Sequence, residues 1–182
     1  MNKTIVVLTL LVLVVSAAFA ARRDPLNNKE ADQIREASME PEKRLPLFAQ
    51  FARVRLETVE HLRSDPRLAT DRPAQIHDLL EDFTTLIDEL GDNIDDFVQR
   101  GDDIRKPLKT CIESLTSFQL KLRAIKETKD DPQFVNEFRD YAFPLDSAID
   151  SVNSGLDSAK KTMEEQDKKA AEEKEKQKRK KK

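Results

Sequence analysis

From Ile76 to Val98 the apolar residues return at every fourth and third position: Ile76, Leu80, Phe83, Ile87, Leu90, Ile94 and Phe97, widened by Leu79, Leu86 and Val98. That spacing gathers them on one side of an α-helix, and so wide a stripe is stable only against other helices. The other positions hold Asp78, Glu81, Asp82, Asp88, Glu89, Asp92, Asp95 and Asp96, a surface suited to water or to basic partners. The chain is therefore expected to fold as a helical bundle.

Three further segments repeat the rhythm. A helix over about residues 43–63 has Leu45, Phe48, Ala52, Leu56, Val59 and Leu62 on its seam, with Pro46 expected in the first turn, where a missing N–H costs nothing. The third helix uses Ile104, Leu108, Cys111, Leu115, Phe118, Leu122 and Ile125, with Pro107 in or near its first turn. The fourth is expected to open with Asp131 as cap and Pro132 as first residue, and keeps the period from Val135 to Met163. Pro144 falls inside it, but the seam is in phase on both sides, so a kinked continuous helix is expected rather than two. Between these segments lie turn signals. Thr70 or Asp71 is placed to cap the acidic helix with Pro73 in its first turn, Gly101 to end it in a left-handed conformation, and Asp102-Asp103 to start the next.

Charge segregates along the chain. Residues 42–63 carry five basic and three acidic side chains (+2), residues 78–103 one and ten (−9), residues 104–126 six and one (+5), and residues 131–159 one and six (−5). In a ring where each helix lies beside its sequence neighbours and the first closes on the fourth, every contact joins opposite signs. The expected fold is thus all-α: an antiparallel up-down-up-down four-helix bundle over residues 42–163. Residues 21–41, with only Leu26, Ile34 and Met39 as sizeable apolar groups, are expected to form a loosely held N-terminal arm, and residues 164–182 an extended, charged, lysine-rich tail that frays at its end.

Residues 1–20 read as a secretory signal: Lys3, an apolar run from Ile5 to Val15, and Ala18-Phe19-Ala20 before the expected cleavage. An N-terminal membrane anchor is the alternative, since Arg22 and Arg23 follow at once and the apolar stretch approaches spanning length. Cys111 is the one cysteine, so an exported chain gains no internal disulfide, and its place on a seam predicts a buried, inert thiol.

Catalytic groups are hard to find. The histidines are His61 and His77; His77 with Asp78 and Glu81 forms a metal-capable spacing, but such neighbours are expected on any acid-rich helix, so no metal, cofactor or catalytic site is assigned. No haem-attachment motif, phosphate-cradling glycine loop or nucleophile elbow occurs. The tail offers more: Lys174, Lys176, Lys178, Arg179, Lys180, Lys181 and Lys182, opposed by Glu175 alone, are the candidate polyanion-binding residues. No aromatic residue interleaves them, which argues against specific nucleic-acid binding and leaves anionic lipid or envelope polymer as the fitting polyanion. The sequence thus points first to an exported, non-enzymatic bundle acting by protein–protein interaction in the cell envelope or periplasm, as adaptor, scaffold or holdase-like binder with an unknown protein partner and unknown oligomeric state. Polyanion or anionic-membrane binding through the lysine tail is the alternative.

Overall fold

A computed structural model describes residues 24–65, 67 and 71–180. The proposed signal segment, the possible cap Thr70, and Lys181 and Lys182 of the tail lie outside the described residues. Among the described residues every regular element is helical: α1 (Asn28–Glu36), α2 (Pro41–Ser64), α3 (Arg72–Gln99), α4 (Arg105–Glu127) and α5 (Val135–Lys180). Among the described residues no helix is long and apolar enough to cross a membrane.

The four seams meet in one core. Leu45, Leu56, Ile76, Leu80, Phe83, Leu86, Leu108, Phe118, Leu122 and Leu145 are sealed from solvent, and Cys111 with them. Phe83 of α3 meets Phe118 of α4 edge to face, with ring centroids 5.4 Å apart. Burial of each such side chain is worth roughly 1.5–3 kcal/mol, so this core supplies the stability.

The neighbours around that core differ from the ring that charge alone suggested. α2 packs on α3 and on α4, while α5 packs on α3 and on α4; the expected closure of the first long helix on the fourth is not a principal contact. Residue pairs give the registers. Along α2 and α4 the numbers rise together: Glu42 with Lys106 at 3.0 Å, Arg53 with Ser114 at 3.1 Å, Glu60 with Lys121 at 2.5 Å, then Arg63 with Thr128. Along α3 and α5 they also rise together, from Arg72–Glu137 to Asp88–Ser151, both reaching 2.5 Å. Between α4 and α5 they run opposite, with Gln119 on Asn153 at 2.6 Å and Lys126 on Asp146 at 2.7 Å. The short turn after α3 crosses from one neighbour pair to the other, so α3 and α4 meet through the Phe83–Phe118 contact rather than side by side. Like-signed helices therefore adjoin. Exposed ion pairs contribute only ~0–1 kcal/mol, too little to overrule the fit of the seams.

Local signals fare better. Gly101 has φ +81°, and the Asp102 N–H reaches the Phe97 carbonyl at 3.0 Å while the Gly101 N–H reaches Val98, closing α3 in the left-handed manner its glycine allows. Pro73 lies in the first turn of α3, whereas Asp71 stands at its N-cap without a capping hydrogen bond from its side chain. Two boundaries move. α2 starts at Pro41, so Pro46 sits in the second turn rather than the first and leaves the Glu42 carbonyl without its helical donor. α5 starts at Val135, because Asp131 first caps a tight turn through the Gln133 N–H and accepts from Phe134 and Val135 with its carbonyl. It then runs through Pro144 unbroken, and continues helical to Lys180, where fraying was expected.

The N-terminal arm is not loose. Asn27 and Glu30 form a capping box that opens α1, and Glu30 then takes both terminal nitrogens of Arg55 at 2.7 and 2.6 Å. Arg55 also donates to the Pro25 carbonyl, and Arg44 to that of Ile34, which is itself buried. Hydrogen bonds from Arg55 hold the Glu30 carboxyl below the usual range, although its partial burial opposes this. A carboxyl whose folded pKa is lowered stabilises docking above its unfolded pKa of roughly 4.3 and loses that contribution as pH falls through the folded value. Protease protection of the arm should accordingly fall under acid conditions in the native chain and be weak at all pH in Glu30→Gln, with a loss of about 1–3 kcal/mol at neutral pH. Gly155 tests the core from the opposite direction. A methyl there would meet Ile87 at 3.6 Å and Leu115 at 4.0 Å, ordinary contact distances. Gly155→Ala should raise stability in urea by roughly 0.5–1 kcal/mol.

Candidate interaction surfaces

The order of helices decides where charge collects. α3 carries no lysine or arginine between Arg72 and Arg100, and α5 none between Arg139 and Lys160. Since these helices adjoin, one side of the bundle is acidic, and the adjoining pair α2 and α4 makes the other side basic. The field of such a two-signed molecule extends about a Debye length, ~8–10 Å at moderate salt.

On the acidic side a groove of about 330 Å³ runs between α3 and α5, lined by Asp78, Glu81, Asp82, Thr84 and Thr85 from one helix and Phe143, Pro144 and Ser147 from the other. Phe143 is 81% exposed, the most open large apolar side chain among the described residues. Its position follows from the period: Tyr141, Pro144 and Leu145 turn inward, and Phe143 falls on the opposite arc of the helix. An aromatic face beside carboxylates suits an ammonium or guanidinium group on an aliphatic stem, since the ring attracts the cation, the stem covers the ring and the carboxylates take the charge. A neighbouring recess shares Asp78 and adds His77 and Asp140. There His77 Nδ1 lies 3.8 Å from Asp78 and 3.9 Å from Glu81. Three ligand atoms within 4.8 Å satisfy the spacing of a metal site, but they sit on one open helix face and enclose nothing. His61 stands apart, exposed in the last turn of α2.

The described basic tail residues lie in the last turns of α5. Lys174, Lys176, Lys178, Arg179 and Lys180 are all exposed, and Arg179 pairs with Glu175 one turn back at 2.5 Å. Gln166 still ties α5 to the bundle, accepting from the Ile104 N–H and donating to the Asp102 carbonyl. Side chains as far as Glu173 line a recess with the turn between α3 and α4, and every residue from Lys174 to Lys180 is exposed.

Three features were not read in the sequence. Phe143 escaped because a residue off the seam looks like any other surface position. Arg72 is only 3% exposed and grips Glu137 through two bonds of 2.7 and 2.5 Å, while its guanidinium and that of Arg63 lie over the Phe134 ring at 5.8 and 4.3 Å. This cluster fastens the starts of α3 and α5 to the end of α2, and Arg63 Nε, Arg72 Nη1 and the Tyr141 hydroxyl stay buried beside it with no hydrogen-bond partner among the described residues. The Glu30–Arg55 pair joins residues distant in sequence, with no local signature. No protein-family model, curated protein or solved structure matches this chain.

Elsewhere the chemistry is quiet. Arg105 hydrogen bonds hold the Asp103 carboxyl at about 2, keeping it ionised at the start of α4. Burial pushes the Cys111 thiol up to about 12. The thiolate is the reactive form, so in the folded protein Cys111 should react with a maleimide or disulfide reagent at least about 100-fold more slowly than after unfolding in urea.

Proposed function

We propose that this chain is an exported, non-enzymatic helical protein that acts by protein–protein interaction in the cell envelope, as an adaptor or scaffold. The long helices are read as an up-down-up-down four-helix bundle whose α3–α4 turn crosses the diagonal, with α5 extended into a basic tail; the registers of the paired helices support this arrangement. The observation that carries the functional reading is the neighbour relation of α3 and α5, which collects acid on one side of the molecule around the exposed Phe143. A holdase-like role draws less support. Such a binder needs a continuous open apolar surface, whereas the seams close on one another and Met39, Val54, Leu120, Val135 and Phe143 are the large apolar residues left open among those described.

The second reading is polyanion binding by the tail, favoured by the uninterrupted exposure of Lys174 to Lys180 at a projecting helix end. Anionic lipid attracts such a segment by roughly 1 kcal/mol per basic residue close to the surface.

Cosedimentation with isolated envelopes and with anionic vesicles, at low and high salt, separates the two. On the adaptor reading, envelope binding survives deletion of residues 174–182 and is lost when Glu81 and Asp88 are changed to lysine. Binding to both envelopes and vesicles that disappears with the tail assigns the activity to the polyanion reading. No envelope binding by any form refutes both.

A further inference from the structure

We propose that the acidic groove of one molecule receives the basic end of α5 from a second copy, so that the protein assembles head to tail. The proposal rests on the acidic side being a contact surface, as argued above, and names what that surface holds.

The two partners are complementary in charge, chemistry and length. Lys174 to Lys180 presents five basic residues against Glu175 in a helix exposed at every position. Seven helical residues extend about 10 Å, and the stretch of α3 from Asp78 to Asp88 offers about 15 Å of acid-lined surface to receive them. Lys174 and Lys178 form one row on the helix and Lys176 and Lys180 another, so a lysine from either row can lay its stem on Phe143 with its ammonium among the carboxylates. The groove also has an electrostatic reason to be filled. α3 and α5 adjoin although both are acidic, and a cationic segment lying between them relieves that repulsion.

The occupant cannot be the molecule's own tail. α5 is one helix from Val135 to Lys180, and Lys174 lies 31 residues beyond Phe143, roughly 46 Å along the axis at 1.5 Å per residue. Groove and tail are therefore at opposite ends of a rigid element, and only another copy can join them. A contact between different patches on the two molecules is heterologous, so it propagates into a chain or closes into a ring.

Sedimentation velocity of the purified protein tests this. The unaltered chain should associate at low salt and come apart at about 1 M salt, where the screening length falls to ~3 Å. A chain ending at Glu173 retains the groove and lacks the tail; a Glu81→Lys, Phe143→Ser chain retains the tail and lacks the groove. Both changes fall on exposed positions, and helical circular dichroism with a cooperative melt verifies that each variant folds. Each alone should be monomeric, with self-association weakened at least about tenfold, whereas their mixture should form a one-to-one pair that grows no further. An unaltered chain that stays monomeric at low salt, association that survives loss of the tail, or a mixture that fails to pair would each overturn the proposal. Envelope cosedimentation needs no self-association, so the functional reading and this inference can fail separately.

Discussion

Filling a single core from four amphipathic helices is the constraint to which the rest of the molecule adjusts. Phe83 and Phe118 meet edge to face between α3 and α4, helices that are not otherwise principal neighbours. This contact accompanies an arrangement in which α3 and α5 adjoin despite their common charge, and α2 and α4 likewise. The magnitudes explain why. Each buried apolar side chain contributes roughly 1.5–3 kcal/mol, while an exposed pair contributes a fraction of that, so the fit of the seams selects the neighbours and charge is distributed afterwards. The separation of acidic and basic sides thus follows from packing, and it leaves a two-signed surface that a charge-alternating ring would have cancelled.

Polar groups fix what the core leaves undetermined. Arg44 reaches from α2 to Asn93 on α3, Arg53 to Ser114 on α4, and Arg72 from the start of α3 to Glu137 on α5. Asn93 and Ser114 are among the few buried polar side chains, and each meets an arginine. A one-turn slip between helices would leave these groups buried without partners, at a cost of about 1–3 kcal/mol each. They therefore define register more than they add stability. Arg55 does the same for α1, which has little apolar surface of its own and is held by charge-assisted bonds to Glu30 and to the Pro25 carbonyl.

What could be read from the chain follows the range of each signal. Most seam positions, Gly101 and Pro73 depend on residues within a turn or two, and these readings agree with the structure, except that Val135, expected on the seam of the fourth helix, is exposed. α5 starts three residues beyond the expected Pro132 because the Asp131 side chain caps a turn that precedes the helix. Helix neighbours, the docking of α1 and the Arg72–Glu137 pair depend on residues about 25 to 65 positions apart, where no periodicity reports. Of the candidate surfaces, the basic tail is legible as composition and the acid of α3 as a face. The groove was not, because it exists only once α5 lies against α3 and turns Phe143 outward.

Tyr141 has a consequence of a different kind. The chain has no tryptophan and this one tyrosine, whose ring is wholly buried against Phe138 near the Arg63–Arg72 cluster. Burial pushes its phenol pKa upward even though the neighbouring arginines oppose the shift. All near-ultraviolet tyrosine emission, and any phenolate absorbance, therefore comes from a single point where α2, α3 and α5 are fastened. The protein contains its own optical gauge, one that reads the opening of this end of the bundle without an attached dye.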